Sequence, residues 1–197
     1  MNPWRQQIDT LRDLLELAEV GDIARRYAAM NAFDGILTIM GVLVGSFTAR
    51  VTDPHIVVTT GLATSVAVGI SGLWGAYLTE TAERKRSLDE MEHLTLSDLG
   101  ATRLGRASRL AAVAVALIDG LSPFLASVIV LTPFLAVALL PNPLYAYYLA
   151  LGTALALLFG LGTFLGTISK DRLVVSGIKT LTAGLVCVGI NLLLGAG

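Results

Sequence analysis

Residues 27–49 read YAAMNAFDGILTIMGVLVGSFTA, an apolar run in which Asp34 is the only charged side chain. About 20 residues of α-helix, rising ~1.5 Å each, cross a bilayer core of ~30 Å, so this run is long enough to span a membrane. Four more runs of this kind follow along the chain. The five predicted spans are approximately Tyr27–Ala49, Ile56–Leu78, Leu110–Ala138, Leu144–Ile168 and Leu173–Leu194.

The composition supports this prediction. The chain has 197 residues, of which 54% are hydrophobic and 15% charged, with a mean hydropathy of +0.72. Soluble domains carry about 25% charged residues, so the composition argues against a soluble enzyme, a nucleic-acid binder and a disordered tail. No segment alternates with period two, which excludes a transmembrane barrel. The predicted fold is therefore an all-α integral membrane protein with the lipid bilayer as its surroundings and no nucleic-acid partner.

The basic residues predict an orientation. If the chain crosses the membrane five times, thirteen of the fourteen Lys and Arg residues lie on one side, and only Arg50 lies in a loop on the other side. The remaining thirteen precede span one, separate spans two and three, or lie close to the loop between spans four and five. Because basic loops stay in the cytoplasm, we expect a cytoplasmic N-terminus and an external C-terminus.

Two segments outside the spans are expected to be helical. Apolar residues at helical spacing predict an amphipathic cytoplasmic helix within residues 1–26, ending at a break at Gly21 and Asp22. No breaker follows span two, so its helix is expected to continue into the cytoplasm to about Leu96, within a helical insertion at about 79–107. In span three, Pro123 and Pro133 are expected to cause a kink or an early stop.

An internal repeat is also predicted. The segment FDGILTIMGVLVGS (33–46) resembles IDGLSPFLASVIVL (118–131), and GLWGAYLTETAER (72–84) resembles GLGTFLGTISKDR (160–172). Spans one and two would then correspond to spans three and four as a parallel two-helix repeat. Transporters built on repeats place their site at the repeat interface.

Asp34 and Asp119 are the two acids inside the predicted spans. An ionisable group inside a span costs about 2.5–3.5 kcal/mol on insertion scales and is a functional candidate by default. Asp34 and Asp119 lie at equivalent places near the start of the two similar segments. Their carboxylates could therefore face one another and bind a divalent cation or relay protons. The alternatives are a structural cap or backbone bond for Asp34 and stabilisation of the proline kink for Asp119. Other candidates near Asp34 are Asn31, Thr38 and Met40.

The segment after span two offers further metal-binding candidates. Glu83, Ser87 and Glu90 fall on one helix face, and Glu90 and His93 have the Glu-x-x-His spacing of di-iron bundles. An equally good interpretation is a solvated face with internal ion pairs such as Glu80–Arg84. No hydrolase or phosphate-binding motif is present, so neither an enzyme nor a cofactor is predicted.

Three stretches resemble the vacuolar iron transporter family. ARRYAAMNAFDGILTIMGVLVGS (24–46) is similar to the family's first span, with its Asp-Gly followed by a Thr and a Gly-rich run. GLATSVAVGISGLWGAYLTETAER (61–84) is similar to the second span, including the Glu at Glu83. SGIKTLTAGLVCVGINLLLG (176–195) is similar to the last span. Together these stretches extend the resemblance over about residues 24–196.

The resemblance implies a homodimer that exports ferrous iron or a similar divalent cation from the cytosol by proton antiport. Asp34 matches the family's translocation aspartate, and the pathway would lie between subunits. Glu83 matches a metal-collecting glutamate, and Glu80, Glu90 and Glu92 lie in the same region.

This chain departs from the family's pattern in span two. It has Val68 where the family usually has an acid, Gly72 in place of a Met, and Ala76 in place of a frequent Glu. The cytoplasmic segment is also shorter. The thioether that favours Fe²⁺ is missing at its usual place, and Asp119 as a replacement oxygen ligand would shift the preference toward Mn²⁺ or Mg²⁺.

The leading hypothesis is therefore a homodimeric, five-span transporter of divalent metal ions, with the metal ion as substrate. Asp34 would be its ligand and proton-coupled carboxylate, and Asp119 its partner. Two alternatives are a non-transporting scaffold or sensor that binds a partner through its cytoplasmic helix, and a passive channel for ions or small solutes.

Overall fold

Five α-helices make up the structure, a computed structural model that describes residue 13 and residues 20–96, 98–137, 140 and 142–195. No strand occurs within these residues. All five helices are long and apolar enough to cross a membrane, which confirms the predicted all-α, five-span fold. In chain order they are α1 (Val20–Thr48), α2 (Pro54–Thr95), α3 (Arg103–Leu135), α4 (Leu144–Ser169) and α5 (Leu173–Gly195).

The predicted break at Gly21 and Asp22 is wrong, and α3 stops early near Pro133 but not at Pro123. Gly21 and Asp22 lie inside α1 rather than at a break, and α3 continues through Pro123 to end two residues after Pro133. A glycine inside a helix costs only about 1 kcal/mol, which the rest of a long helix can absorb. Membrane helices also tolerate proline, because neighbouring groups can satisfy the backbone polar atoms that it frees.

The second helix is the longest. The sequence predicts a helix continuing to about Leu96, and α2 ends at Thr95 after 42 residues. Its first half is apolar, and its second half, from Glu80 onward, carries most of its charged side chains. We call residues 80–95 the polar end of α2. The predicted amphipathic N-terminal helix lies almost entirely outside the described residues.

Several helix ends are closed by a left-handed residue. Arg50, Leu96 and Lys170 follow α1, α2 and α4 with φ angles of 56°, 50° and 57°. This conformation lets a backbone N–H turn back onto the last carbonyls of the helix, as the Lys170 N–H does to the carbonyl oxygen of Gly166. Short connections to the next helix follow these residues.

The chain packs as two compact units, each with its own apolar core. One, the first unit, comprises Met1–Ala28 and Ile70–Leu121. In its described part, Val20 packs with Ala111 and Val115 of α3, supported by Ile23 and Tyr27. The small alanines of α3 let α1 approach closely.

The second unit comprises Ala29–Gly69 and Ser122–Gly197. Its core contains the largest fully buried side chains of the chain, among them Ile39, Met40, Leu43 and Leu131. Helices α4 and α5 form a hairpin in this unit. Gly162 lies so close to α5 that a Cβ atom there would be 2.6 Å from the Ser176 carbonyl oxygen and 2.8 Å from the Cα atom of Gly177.

Candidate functional site

Asp34 lies in the middle of the membrane-spanning part of α1, in the second unit. Its side chain is exposed on the surface of the single chain. Along the helix it is about 16 Å from Ile23 and about 21 Å from Thr48, the two ends of the apolar segment. A carboxylate at this depth cannot rest against lipid without a large penalty. It therefore needs polar surroundings on this face.

The backbone beside Asp34 is held by a close contact with α3. A Cβ atom on Gly35 would lie 2.6 Å from the Cα atom and 2.8 Å from the carbonyl carbon of Pro123, so only glycine fits there. The buried Ser127 hydroxyl donates a hydrogen bond of 3.0 Å to the Gly35 carbonyl oxygen. These contacts fix the rotation of α1 so that the side chain of Asp34 faces away from the core of its unit.

The other candidates on α1 separate into two groups. Asn31 and Thr38, one turn before and after Asp34, are half-buried near the same face. Met40 is fully buried in the core, where its Cε atom is 3.6 Å from the position of a Cβ atom on Gly184. Such a site suits packing better than contact with an ion.

Sequence reasoning passed over Met30. This side chain is 55% exposed and lies one turn before Asp34 on the same face of α1. The four-residue spacing between a thioether and a carboxylate was the available signal. Gly45 lies on this face as well and has no neighbour within 4 Å of its Cβ position. We call residues 30, 34, 38, 41 and 45 the Asp34 face.

Asp119 lies on α3 in the first unit and is only 8% exposed. It sits against Gly72 of α2: a Cβ atom on Gly72 would lie 3.1 Å from both the carboxylate Oδ2 and the carbonyl oxygen of Asp119. The sequence identified Gly72 only as a position that lacks a family ligand. The structure shows that its missing side chain makes room for this carboxylate.

The glutamates at the polar end of α2 differ in whether they form ion pairs. Glu80 accepts a hydrogen bond of 2.9 Å from Arg84 Nε, and Glu90 accepts one of 3.0 Å from Arg86 Nε. Both acids therefore form ion pairs within the helix, and only the Glu90–Arg86 pair lies on a solvated face, because the Glu80 side chain is 16% exposed. Glu83 is exposed and makes no ion pair or hydrogen bond with any described residue.

A cavity of about 430 Å³ opens at the end of α2 and is lined by Asp89, Glu92, His93, Leu96 and Asp98. Glu92 Oε1 accepts hydrogen bonds from the backbone N–H groups of Leu99 (2.8 Å) and Gly100 (3.1 Å), so this carboxylate closes the loop. Within the described part of the chain, no three His, Cys, Asp or Glu side chains come together as metal ligands.

A second cavity of the first unit, about 420 Å³, lies between α2 and α3. Its wall includes Arg84, Lys85 and Arg109, together with the apolar Leu88 and Val113. Asp89 and Glu92 line this cavity too, and Arg84 is paired with Glu80, so its wall carries charges of both signs. The exposed Glu83 is not among the lining residues.

Comparison with known proteins gives two matches. The model of a family described as the VIT family matches residues 26–96, the segment that contains Asp34, Gly72 and Glu83. The chain is also 31% identical over 173 residues to the uncharacterized protein MJ0645 of Methanocaldococcus jannaschii. That alignment covers 86% of this chain and 87% of the archaeal protein.

Proposed function

Because the chain belongs to the VIT family, whose members are membrane transporters, we propose that it carries Fe²⁺ or Mn²⁺ out of the cytosol as a proton-coupled homodimer. Asp34 is the transported ion's ligand and exchanges its proton for the ion, and Asp119 assists it. The polar end of α2 lies in the cytosol, where its carboxylates collect the cation.

The exposure of Asp34 is the observation that carries this proposal. A carboxylate that faces outward from the middle of an apolar helix is stable only against water or against another protein surface. A second copy of α1, placed against the Asp34 face, provides both, because two facing carboxylates can share a hydrated ion. Gly45 on this face has nothing within 4 Å of its Cβ position and permits the close helix approach that membrane dimers use.

Proton coupling follows from the same chemistry. A carboxylate that binds a divalent cation must be deprotonated, so ion binding releases a proton and protonation releases the ion. An inward proton gradient can therefore drive ion export. Glu83 supports cytosolic capture, because its exposed carboxylate is not neutralised by a described basic residue.

Flux into proteoliposomes tests this proposal. We expect uptake of Fe²⁺ and Mn²⁺, monitored by a fluorescent chelator inside the vesicles, that accelerates with a pH gradient. Asp34→Asn is expected to lower the flux at least about tenfold, because it removes the charged ligand. The control is Asp53→Asn, in the loop before α2, where the carboxylate caps the backbone N–H of His55 at 2.9 Å.

Three outcomes would contradict the proposal. Undiminished flux through Asp34→Asn excludes that residue as the ligand. Flux that ignores the pH gradient indicates a passive channel. If no ion moves through well-folded wild-type protein, a scaffold or sensor role is the better explanation.

A further inference from the structure

The cavity of about 420 Å³ between α2 and α3 crosses from the apolar to the charged part of both helices. On α2 its wall begins at Tyr77, in the apolar part, and reaches Lys85 about 12 Å further along the helix. On α3 its wall includes Val113, and Arg109 lies about 6 Å from it along the helix. The cavity therefore has an apolar end and a charged end, as a site for a phospholipid requires.

The apolar end lies at one level on both helices. Gly72 of α2 contacts Asp119 of α3, and Tyr77 lies about 8 Å along α2 from this contact. Val113 lies about 9 Å along α3 from the same contact and lines the same cavity. Both side chains are exposed. Tyrosine is enriched where the hydrocarbon core of a membrane meets the headgroups, so an acyl chain can lie against these two residues.

The charged end of the cavity is ordered by sign. Three basic side chains lie next to the apolar end: Arg84, Lys85 and Arg109. Two acidic side chains of α2, Asp89 and Glu92, lie beyond them. Lys85 and Asp89 stand about 6 Å apart along the helix, and neither forms an ion pair or hydrogen bond with a described residue. One basic and one acidic charge are thus both available to a ligand.

The two arginines of the cavity are held in place by the protein. Arg84 Nε donates a hydrogen bond of 2.9 Å to Glu80, and Arg109 Nη2 donates one of 3.0 Å to the Gly100 carbonyl oxygen. Each guanidinium carries further N–H groups beyond the one used in this way. Positioned guanidinium donors of this kind recognise phosphate oxygens.

We propose that this cavity binds a phospholipid whose headgroup ends in a primary ammonium, such as phosphatidylethanolamine. The phosphate lies among the basic side chains, the ammonium against Asp89, and an acyl chain along Tyr77 and Val113. Basic cavities between membrane helices bind lipid phosphates in general, and the acidic residue beyond the basic ones adds selectivity for the ammonium. The inference goes beyond the proposed transport function and does not depend on it.

Lipids that differ only in the headgroup test the inference. Purified full-length protein in detergent would be titrated with phosphatidylethanolamine, phosphatidylcholine and phosphatidylglycerol that carry identical acyl chains, and native mass spectrometry would count the bound lipids. Choline replaces the ammonium hydrogens by methyl groups, and glycerol carries no positive charge. We expect phosphatidylethanolamine to bind about fivefold more tightly than phosphatidylcholine, which is the effect of one ion pair at an accessible site.

Two substitutions separate the two charges of the headgroup. Asp89→Asn should remove the preference for phosphatidylethanolamine over phosphatidylcholine. Lys85→Gln should weaken the binding of both lipids about fivefold, the effect of one basic side chain near a membrane surface. Arg86→Gln is the matched control and should bind lipids as the wild type does. Arg86 is next to Lys85 on α2, but it pairs with Glu90 at 3.0 Å and does not line the cavity.

Thermal unfolding provides a second measurement for variants that are difficult to purify in quantity. Phosphatidylethanolamine should raise the unfolding midpoint of the wild type and of Arg86→Gln more than phosphatidylcholine does. This difference should vanish in Asp89→Asn, compared at equal elution volume on size exclusion.

Three results would overturn the inference. The first is equal affinity of the wild type for phosphatidylethanolamine and phosphatidylcholine, or a preference that survives in Asp89→Asn. The second is tighter binding of phosphatidylglycerol than of phosphatidylethanolamine, which would indicate a site for anionic lipids. The third is competition by free phosphoethanolamine at the same concentration as the lipid, which would indicate a soluble ligand. None of these results depends on whether the protein moves an ion.

Discussion

Gly35 of α1 lies directly against Pro123 of α3, with its Cβ position 2.6 Å from the proline Cα atom. The residue next to the exposed Asp34 is thus the one that fixes the rotation of its helix. The contact also explains why a helix that carries a carboxylate at this depth can hold one orientation, because the Ser127 hydroxyl adds a buried hydrogen bond at the same point.

The first prediction concerns this contact. Gly35→Ala would force the backbones of α1 and α3 apart, and overpacking of this kind costs about 1–3 kcal/mol. Gly21→Ala, on the same helix but with nothing within 4 Å of its Cβ position and away from the Asp34 face, should be neutral or slightly stabilising. The thermal unfolding midpoint in detergent, read by size-exclusion fluorescence, checks both variants. Equal unfolding midpoints for the two variants would show that the contact between Gly35 and Pro123 does not contribute to stability.

The second prediction compares two glutamates of α2. Glu83→Gln should raise the KM for Mn²⁺ flux with little change in kcat, since it removes a capture charge that no described residue neutralises. Glu80→Gln should leave the KM nearly unchanged, because Arg84 already engages that carboxylate at 2.9 Å. The difference should shrink at high salt, where the Debye length falls to about 3 Å at 1 M. Equal KM values for the two variants would show that Glu83 does not take part in capturing the cation.

The sequence predicts the number of helices and their approximate ends, because a bilayer requires long apolar runs whatever the surrounding fold. The rules for soluble helices fail at Gly21, where the length of the helix compensates for the local defect, whereas α3 continues past Pro123 and ends two residues after Pro133. The direction in which Asp34 and Met40 point could not be predicted. Lipid-facing and core-facing sides of these helices are equally apolar, so periodicity does not report their rotation.

The pairing of Gly72 with Asp119 depends on that same rotation. The sequence identifies Asp119 as a carboxylate in a span and Gly72 as a missing ligand, but nothing in either pattern relates the two. Only the packing of α2 on α3 brings the glycine to the carboxylate. The fold is therefore predictable from composition and run length, whereas the site requires the three-dimensional contacts.

The third prediction tests the dimer through the Asp34 face. In a Cys187→Ser background, Gly45→Cys should form a disulfide between two copies on mild oxidation in the membrane, because the face is open at Gly45. A disulfide requires Cα atoms within about 4.4–6.8 Å, so cross-linking reports close approach of the two helices. Gly160→Cys, on α4 and equally open, is the control. Cross-linking at position 160 and none at 45 would place the dimer contact on a different helix.

The fourth prediction concerns the hairpin of α4 and α5. Gly162 packs against Ser176 and Gly177, and Thr180 Oγ1 donates a hydrogen bond of 2.7 Å to the Leu158 carbonyl oxygen one turn away. Gly162→Ala must therefore separate the two helices and weaken that bond, at a cost of about 1–3 kcal/mol.

Gly152→Ala makes the same change on the same helix, where nothing lies within 4 Å, and should gain up to about 1 kcal/mol from helix propensity. In detergent, the thermal unfolding midpoint should be lower than that of the wild type for Gly162→Ala and equal or higher for Gly152→Ala. Since neither Gly152 nor Gly162 contacts the Asp34 face, ion selectivity should be the same in both variants. A selectivity change in Gly162→Ala would show that the hairpin also shapes the ion pathway.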